Sequence, residues 1–409
     1  MKATNSASTI VTKFHDLETG VGGETYEMEE PIHGGSLALA SGTHIFFHGP
    51  PGVAKSYLVD RTVQRIANNR HFHILFHPFT IQPDLEGPED LMGLKDGHRR
   101  RLTDGYMPWC FTMFGDEIWR AGPAVLATQL TATQERKHRN DGEMRPIPLS
   151  TGWFASNSLP DDEDLLAAYD RMHQRYWIDA IKDPEAFVDM LLLQEVEHPE
   201  PVMDWADVVK AKEMTKKVTV SRAIAEAIKD VRFELLENHN IIPSPRRYRQ
   251  SVDIARAEAF LRGGDEVLLE DLEVLAHVIP ENKEQQELIS KILIARCNPH
   301  HQEVLELVHD WSELAAMVDE TKKIDTSGQA GKARQAQATT ELTTKLNEGL
   351  GELKTVLAKP LSNRARNSAL KGRTILVQAY RRTLVELHNL PEAMIDAQLA
   401  SLGMGEVKK

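Results

Sequence analysis

The segment Gly49-Pro50-Pro51-Gly52-Val53-Ala54-Lys55-Ser56 lies between an apolar stretch typical of a buried strand, His44–His48, and an amphipathic stretch typical of a helix, Ser56–Asn68. It follows the phosphate-binding pattern G-x-x-x-x-G-K-[ST], except that Ala54 stands where the pattern has glycine. In this pattern backbone N–H groups and a helix N-terminus face an anion, the lysine reaches the β- and γ-phosphates, and the hydroxyl binds Mg²⁺. All eight residues are therefore predicted to bind a nucleotide, and Ala54 fits if its φ is negative.

A second motif follows about 60 residues later, where the apolar stretch Phe111–Phe114 ends in Gly-Asp116-Glu117. Beside a phosphate-binding loop, such an aspartate holds the hydration shell of Mg²⁺ and the glutamate polarises the attacking water. The alternative is that both carboxylates only cap the next helix, where negative charge is favoured. Asn157, just past the fourth predicted strand, is placed to orient that water. We therefore predict Glu117 and Asn157 as catalytic residues, and Ser56 and Asp116 as metal ligands.

An arginine precedes the fifth predicted strand, Tyr176–Ile178. Arg171 at this place can reach the γ-phosphate of a neighbouring subunit and would then act as an arginine finger supplied in trans. Two alternatives stay open. Arg171 is a surface residue paired with Asp170, or Arg175 is the finger instead.

Short aromatic-rich strands alternate with helices in the first half of the chain, which predicts a parallel sheet covered by helices on both faces. Asp96-Gly97, within Leu94–Leu102, and Asp141-Gly142 predict two hairpins that decorate this α/β core. From about residue 183 the apolar spacing is helical throughout. The predicted domains are an α/β nucleotide-binding domain at 1–182, a helical lid at 183–298 and a helical C-terminal region at 299–409.

Residues 324–335 are rich in Gly, Ser and Gln and lack periodicity, which predicts a flexible linker inside the C-terminal region. Beyond it, a leucine stripe over 342–357 and an apolar stripe over 375–387 predict two helices. The leucine stripe either packs onto the rest of the chain or docks a partner protein. We favour packing, because Trp311 and Val318 just upstream offer an apolar face that needs cover.

Composition excludes several classes of protein. With 41% apolar residues the chain of 409 residues can build a core, so it is not disordered as a whole. The net charge of −13 argues against a nucleic-acid coat protein, which needs a basic surface. Two cysteines make no disulfide framework. Neither a signal peptide nor a membrane span is predicted, and we expect a cytoplasmic protein.

Taken together, the motifs resemble those of the MoxR family of AAA+ ATPases, in its RavA-like branch. The resemblance covers roughly residues 14–280 and also rests on these segments: 86–93, 114–123, 130–136, 137–149, 155–160, 169–172 and 244–247. It implies that 86–93 is the family's insert helix and that Arg246 is the lid arginine that senses the nucleotide. Arg247, or an ordinary helix start with no sensing role, is the alternative.

The resemblance also implies a function. ATP and Mg²⁺ would bind between the α/β domain and the lid of a hexameric ring, and hydrolysis would drive remodelling of a protein partner that carries a von Willebrand A domain. The alternative is a nucleic-acid-associated motor of the same superfamily. The basic triplet Arg99-Arg100-Arg101 could then line a pore, or could be only an exposed, solvated turn.

Overall fold

We describe the fold from a computed structural model, which covers residues 2–160, 163–194, 198–359 and 361–401. The chain divides into two compact units, Met1–Leu293 and Ile294–Lys409. Each unit has its own core.

The first unit contains nine strands among the described residues: β1 His44–His48, β2 Ile66–Ala67, β3 His71–Leu75, β4 Thr112–Asp116, β5 Lys137–Asn140, β6 Glu143–Pro146, β7 Thr151–Ser156, β8 Gln174–Trp177 and β9 Met203–Asp204. Five of them form a parallel sheet with the strand order β3-β4-β7-β1-β8. Two further pairs, parallel β2-β9 and antiparallel β5-β6, lie outside this sheet. The predicted parallel sheet is confirmed.

Helices flank the sheet and continue into the lid. They are α1 Lys2–Gly22, α2 Glu29–Ser41, α3 Lys55–Gln64, α4 Gln82–Glu86, α5 Leu91–Lys95, α6 Pro123–Glu135, α7 Glu163–Tyr169, α8 Pro184–Leu192, α9 Trp205–Thr215, α10 Arg222–His239, α11 Pro245–Leu261 and α12 Lys283–Cys297. Short 3₁₀ turns cover Met107–Trp109, Ile118–Arg120 and Leu269–His277. Serine caps start the two long lid helices: the Ser221 hydroxyl accepts from the backbone N–H of Ile224 in α10, and the Ser244 hydroxyl from that of Arg247 in α11.

Burial on both faces of the sheet explains why the sequences of its central strands are continuous apolar runs. Every residue of β7 is buried, and so are the first four residues of β1. In register, His48 of β1 pairs with Ser156 of β7, and Gly115 of β4 pairs with Phe154 of β7. The carboxyl ends of these three strands therefore meet at one edge of the sheet, which brings the loops that follow them together.

One predicted hairpin is present and the other is not. Asp141 and Gly142 form the turn between β5 and β6, as predicted. The segment Leu94–Leu102 is not a hairpin. Its start belongs to α5, because the Asp90 carboxylate accepts hydrogen bonds from the backbone N–H groups of Met92 and Gly93 and so caps a helix there.

The second unit contains the helices α13 Pro299–Lys322, α14 Gln329–Leu357, α15 Asn363–Arg382 and α16 Glu392–Ser401. The predicted flexible linker at 324–335 is wrong in its second half, because α14 begins at Gln329 and the connection to α13 is a short turn. The leucine stripe of α14 is buried in this unit's own core, together with Trp311 and Val318 of α13 and Leu376 of α15. Of the two roles considered for the stripe, the structure therefore shows packing onto the same chain.

Among the described residues, no helix is both long enough and apolar enough to span a lipid bilayer. The described part of the second unit also has no strand, so it is helical as predicted.

Candidate active site

The loop between β1 and α3 has the shape of a phosphate-binding loop. Gly52 has a φ of +85° and Ala54 a φ of +60°, so two of its residues take the left-handed conformation. The expectation that Ala54 has a negative φ is therefore wrong. An L-residue in this region costs roughly 1–2 kcal/mol relative to the right-handed one. Ala54 keeps the backbone geometry for which the pattern uses glycine, at a cost in strain.

Lys55 is the first residue of α3, and its ammonium group is held by oxygens around the loop. Nζ donates to the carbonyl oxygens of Gly49 at 2.6 Å and Pro50 at 2.9 Å, and to Oδ1 of Asn157 at 2.7 Å. The side chain is buried. Burial lowers the pKa of Lys55, and the nearby carboxylates of Asp116 and Glu117 partly oppose that shift. A charged donor with three replaceable acceptors is suited to bind phosphate oxygens.

Ser56 and Asp116 meet although they are far apart in sequence. The hydroxyl of Ser56 donates to Oδ2 of Asp116 at 3.1 Å, and Oδ1 of Asp116 accepts from the backbone N–H of Glu117 at 2.9 Å. A hydroxyl oxygen and a carboxylate oxygen at this spacing are hard ligands of the kind that Mg²⁺ uses beside phosphates. The residues present therefore fit a magnesium ion.

Glu117 follows β4 in a left-handed conformation, with φ of +52°. Its carboxylate accepts a hydrogen bond from the side-chain amide of Asn157 and lies 3.5 Å from Nε of Arg120. Asn157 therefore touches Lys55 through its oxygen and Glu117 through its nitrogen. One amide links the phosphate-binding lysine to the predicted catalytic carboxylate.

Two adjoining cavities open on this loop. A polar one of about 320 Å³ is lined by Pro51–Tyr57, Asp116, Glu117 and Asn157. A larger one of about 600 Å³ shares the residues Pro51–Ala54 and Tyr57 with it. Its other walls are mostly apolar and include Tyr26, Met28, Phe187, Met190 and Leu193. A polar compartment beside an apolar one suits a ligand that is charged at one end and aromatic at the other.

The walls of the larger cavity escape prediction from the sequence. Tyr26 and Met28 precede α2, and Phe187 and Met190 belong to α8, so their segments are about 160 residues apart in the chain. The available signal is α8 itself, a short apolar helix with no buried residue. An apolar helix that stays uncovered by the core is a candidate wall of a binding cavity.

The two predicted arginines lie elsewhere. Nε of Arg171 donates to Oε1 of Gln134 at 2.8 Å, and Nη1 of Arg246 donates to Asp170 at 3.1 Å. Neither residue is among those that line the polar cavity. Of the predicted site residues, the structure thus brings together the loop, Asp116, Glu117 and Asn157, but leaves Arg171 and Arg246 outside.

Arg175 and Arg247, the alternatives to Arg171 and Arg246, are both buried. Arg175 is fully buried and donates to the carbonyl oxygens of Tyr169, Val278 and Pro280. Arg247 is 3% exposed and donates to Asp170 and to the carbonyl oxygen of Ile279. Both guanidinium groups are buried and make structural contacts inside the subunit.

Comparison with protein families gives two matches. Residues 24–236 match a family described as the MoxR domain in the MoxR-vWA-beta-propeller ternary systems, and residues 223–293 match a family described as an AAA lid domain. The first match covers more than half of the chain and contains the phosphate-binding loop, Asp116, Glu117 and Asn157.

Two relatives come from the archaeon Methanocaldococcus jannaschii. The chain is 31% identical to Uncharacterized protein MJ0079 over 300 residues, which is 73% of this chain and 78% of that protein. It is 33% identical to Uncharacterized protein MJ0812 over 253 residues, which is 62% of this chain and 67% of that protein.

Among solved structures, a candidate ATPase from Cytophaga hutchinsonii is similar in fold. Its TM-score is 0.59 at 19% identity, and the match covers 73% of this chain and 98% of that one. At this identity the similarity supports the fold alone.

Proposed function

Because the chain belongs to the MoxR family of AAA+ ATPases, we propose that it hydrolyses ATP to ADP and phosphate and uses the energy to remodel a partner protein. The observation that carries the proposal is the bridge from Lys55 through Asn157 to Glu117. This bridge joins the proposed phosphate-binding cation to the proposed general base. A protein that only bound nucleotide would not need that connection.

In the proposed reaction, Lys55 exchanges its carbonyl acceptors for oxygens of the β- and γ-phosphates. Glu117 then orients a water for attack on the γ-phosphate, and Asn157 holds the carboxylate in place from one side. Ser56 and Asp116 would hold Mg²⁺, which when bound neutralises charge on the phosphate oxygens. The larger cavity would take the adenine ring between Tyr26 and the apolar side of α8.

The position of Arg171 supports a ring of subunits. Its side chain lies outside its own polar cavity, whereas Arg175 is fully buried in its own subunit. We therefore propose Arg171 as the finger that completes the neighbouring site, in a hexamer. Arg246 is the proposed nucleotide-sensing arginine, because its side chain is 49% exposed whereas Arg247 is 3% exposed.

A protein partner is favoured over nucleic acid by the state of the basic triplet. Each of its arginines is paired with a carboxylate: Arg99 with Glu89, Arg100 with Asp90 and Arg101 with Glu86. The triplet is therefore largely neutralised and offers few unpaired cations for phosphate contacts. The family description points to a co-protein with a von Willebrand A domain, and we propose such a partner in the cytoplasm. Membership of the RavA-like branch stays a prediction.

Two substitutions test the proposed activity. Lys55→Ala should abolish ATP binding, because the cavity loses its main phosphate-binding cation. Glu117→Gln should bind ATP normally but hydrolyse it at least about 100-fold more slowly, the scale of losing a general base. Binding is measured with a fluorescent ATP analogue and turnover by phosphate release. Affinity purification of Glu117→Gln with ATP should also retain the partner protein.

Lys137→Ala is a matched control for the loss of a lysine, since Lys137 is exposed on β5. It should change neither binding nor turnover. Normal turnover by Glu117→Gln would remove Glu117 from the reaction and with it the proposed mechanism.

A further inference from the structure

The carboxylate of Asp170 receives three hydrogen bonds from one end of the lid helix α11. The donors are the Ser244 hydroxyl at 2.9 Å, Nη1 of Arg246 at 3.1 Å and Nε of Arg247 at 3.0 Å. Ser244 is also the N-cap of α11. The positive end of the helix dipole therefore faces the same carboxylate. Although burial opposes it, the Ser244 hydroxyl and the Arg247 guanidinium hold the pKa of Asp170 below its ordinary value.

On its other side, Asp170 belongs to a tightly wound turn between α7 and β8. Its backbone N–H donates to the carbonyl oxygen of Leu166 at 2.9 Å, and the next N–H, that of Arg171, donates to Ala168 at 3.1 Å. Consecutive Cα atoms are about 3.8 Å apart and the peptide between them is rigid. A displacement of Asp170 by the lid therefore displaces Arg171 as well.

The two lid arginines are not equivalent in this contact. Arg247 is buried and also donates to the carbonyl oxygen of Ile279, so it anchors the lid to the turn. Arg246 is about half exposed. A guanidinium with one exposed face can exchange a carboxylate for a phosphate, since both accept from it in the same geometry.

We propose that Asp170 is a positioning residue that ties the lid of one subunit to the placement of its own Arg171. This inference rests on the proposed function, in which Arg171 completes the site of the neighbouring subunit. When Arg246 turns to the γ-phosphate bound in its own subunit, Asp170 loses one of its three donors and the turn that carries Arg171 shifts. The nucleotide in one site thereby controls hydrolysis in the next.

The test uses Asp170→Asn, which keeps the size of the side chain and an acceptor for Ser244 but removes the charge. We expect ATP affinity within about twofold of the natural protein and a kcat lower by about tenfold or more, as for a displaced catalytic group. Glu281→Gln is the matched control. Glu281 also pairs with Arg247, at 3.4 Å, but it is not adjacent to Arg171. It should keep nearly full activity.

Mixed rings separate a positioning role from a structural one. Glu117→Gln subunits have a dead site but an intact Arg171, so they should restore hydrolysis in the intact sites of Arg171→Ala subunits. The same mixing should restore hydrolysis in the sites of Asp170→Asn subunits. Their defect is a displaced Arg171, which acts in the neighbouring site and not in their own. A defect confined to lid folding would stay in the mutant's own site and would not be restored.

Recovery of hydrolysis with both Arg171→Ala and Asp170→Asn is the result that supports the inference. Recovery with Arg171→Ala but not with Asp170→Asn overturns the inference and leaves the proposed function intact. Recovery with neither overturns the proposed role of Arg171 in trans, and the inference falls with it. If Asp170→Asn has a lowered melting temperature, Asp170→Glu replaces it, because it keeps the charge on Arg247 balanced and moves the carboxylate by one methylene. Full activity of Asp170→Glu in a folded ring would also count against the inference.

Discussion

The nucleotide site of the first unit and the core of the second unit are held together by opposite means. Around the phosphate-binding loop, polar groups hold one another: Lys55 with Asn157, Asn157 with Glu117, and Ser56 with Asp116. In the second unit, Trp311 packs among leucines, with glycines of α14 and α15 against its ring. Polar contacts can be exchanged for those of a ligand at little net cost, whereas close packing has no such substitute. The polar site can therefore exchange its internal hydrogen bonds for contacts with a ligand, whereas the packed core of the second unit keeps one arrangement.

The largest loss of stability should come from removing a large side chain from the core of the second unit. Trp311→Ala removes a side chain that is 1% exposed and should cost about 3–5 kcal/mol of unfolding free energy in that unit. Denaturant unfolding followed by circular dichroism measures the loss. Leu305→Ala on the same helix is the control, since Leu305 is 38% exposed and should cost far less. Because the nucleotide site belongs to the other unit, ATP affinity should not change, and a parallel loss of affinity would break the comparison.

A smaller effect should follow from a buried polar contact in the first unit. His33 of α2 lies between Glu18 of α1, at 2.9 Å, and Glu258 of α11, at 2.7 Å. Burial lowers the pKa of His33, but the two carboxylates outweigh it and raise the pKa well above its ordinary value. The stabilisation is therefore complete below the unfolded pKa of about 6.5 and is lost as the pH rises through the folded value.

The measurement is the melting temperature of the protein and of His33→Gln from pH 6 to pH 10. The natural protein should lose on the order of 1 kcal/mol more than the variant across this range. His239→Gln is the control, because His239 is exposed at the C-terminal end of α10. Equal slopes for the natural protein and His33→Gln would show that the contact does not depend on charge.

The smallest effect should come from the strained residue of the loop. Ala54→Gly removes a Cβ from a residue with φ of +60°, which relieves roughly 1–2 kcal/mol of strain. Glycine also gains freedom in the unfolded chain, which offsets about 0.5–1 kcal/mol of that. A net rise in stability of about 0–1.5 kcal/mol is expected. Ala124→Gly, in the regular helix α6, should destabilise instead. A loss of stability in Ala54→Gly would show that the loop needs the methyl group.

The residues that the sequence locates best are those at the ends of apolar strands. Lys55, Asp116 and Asn157 each follow a short buried run, and parallel strands end at the same edge, so their proximity is predictable. The predictions of the linker and of one hairpin are wrong for local reasons. Gly331 costs α14 about 1 kcal/mol, which the packed apolar face of that helix, with Leu342, outweighs. The Asp90 cap starts α5 at Leu91, so that Asp96-Gly97 follows the end of a helix instead of joining two strands.

The sequence by itself determined the parallel α/β sheet, the phosphate-binding loop with its lysine and the acidic pair at the end of β4, because the spacing of a few consecutive residues carries that information. Only the tertiary structure decided which arginines are buried in contacts inside the subunit and which segments form the apolar walls of the larger cavity. It also decided that Asp170 joins the lid to the turn that carries Arg171. These facts depend on pairs of segments far apart in the chain, such as α8 with the segment before α2, or the turn after α7 with α11. Packing brings such segments together through the sum of many weak contacts, and no local pattern records that sum.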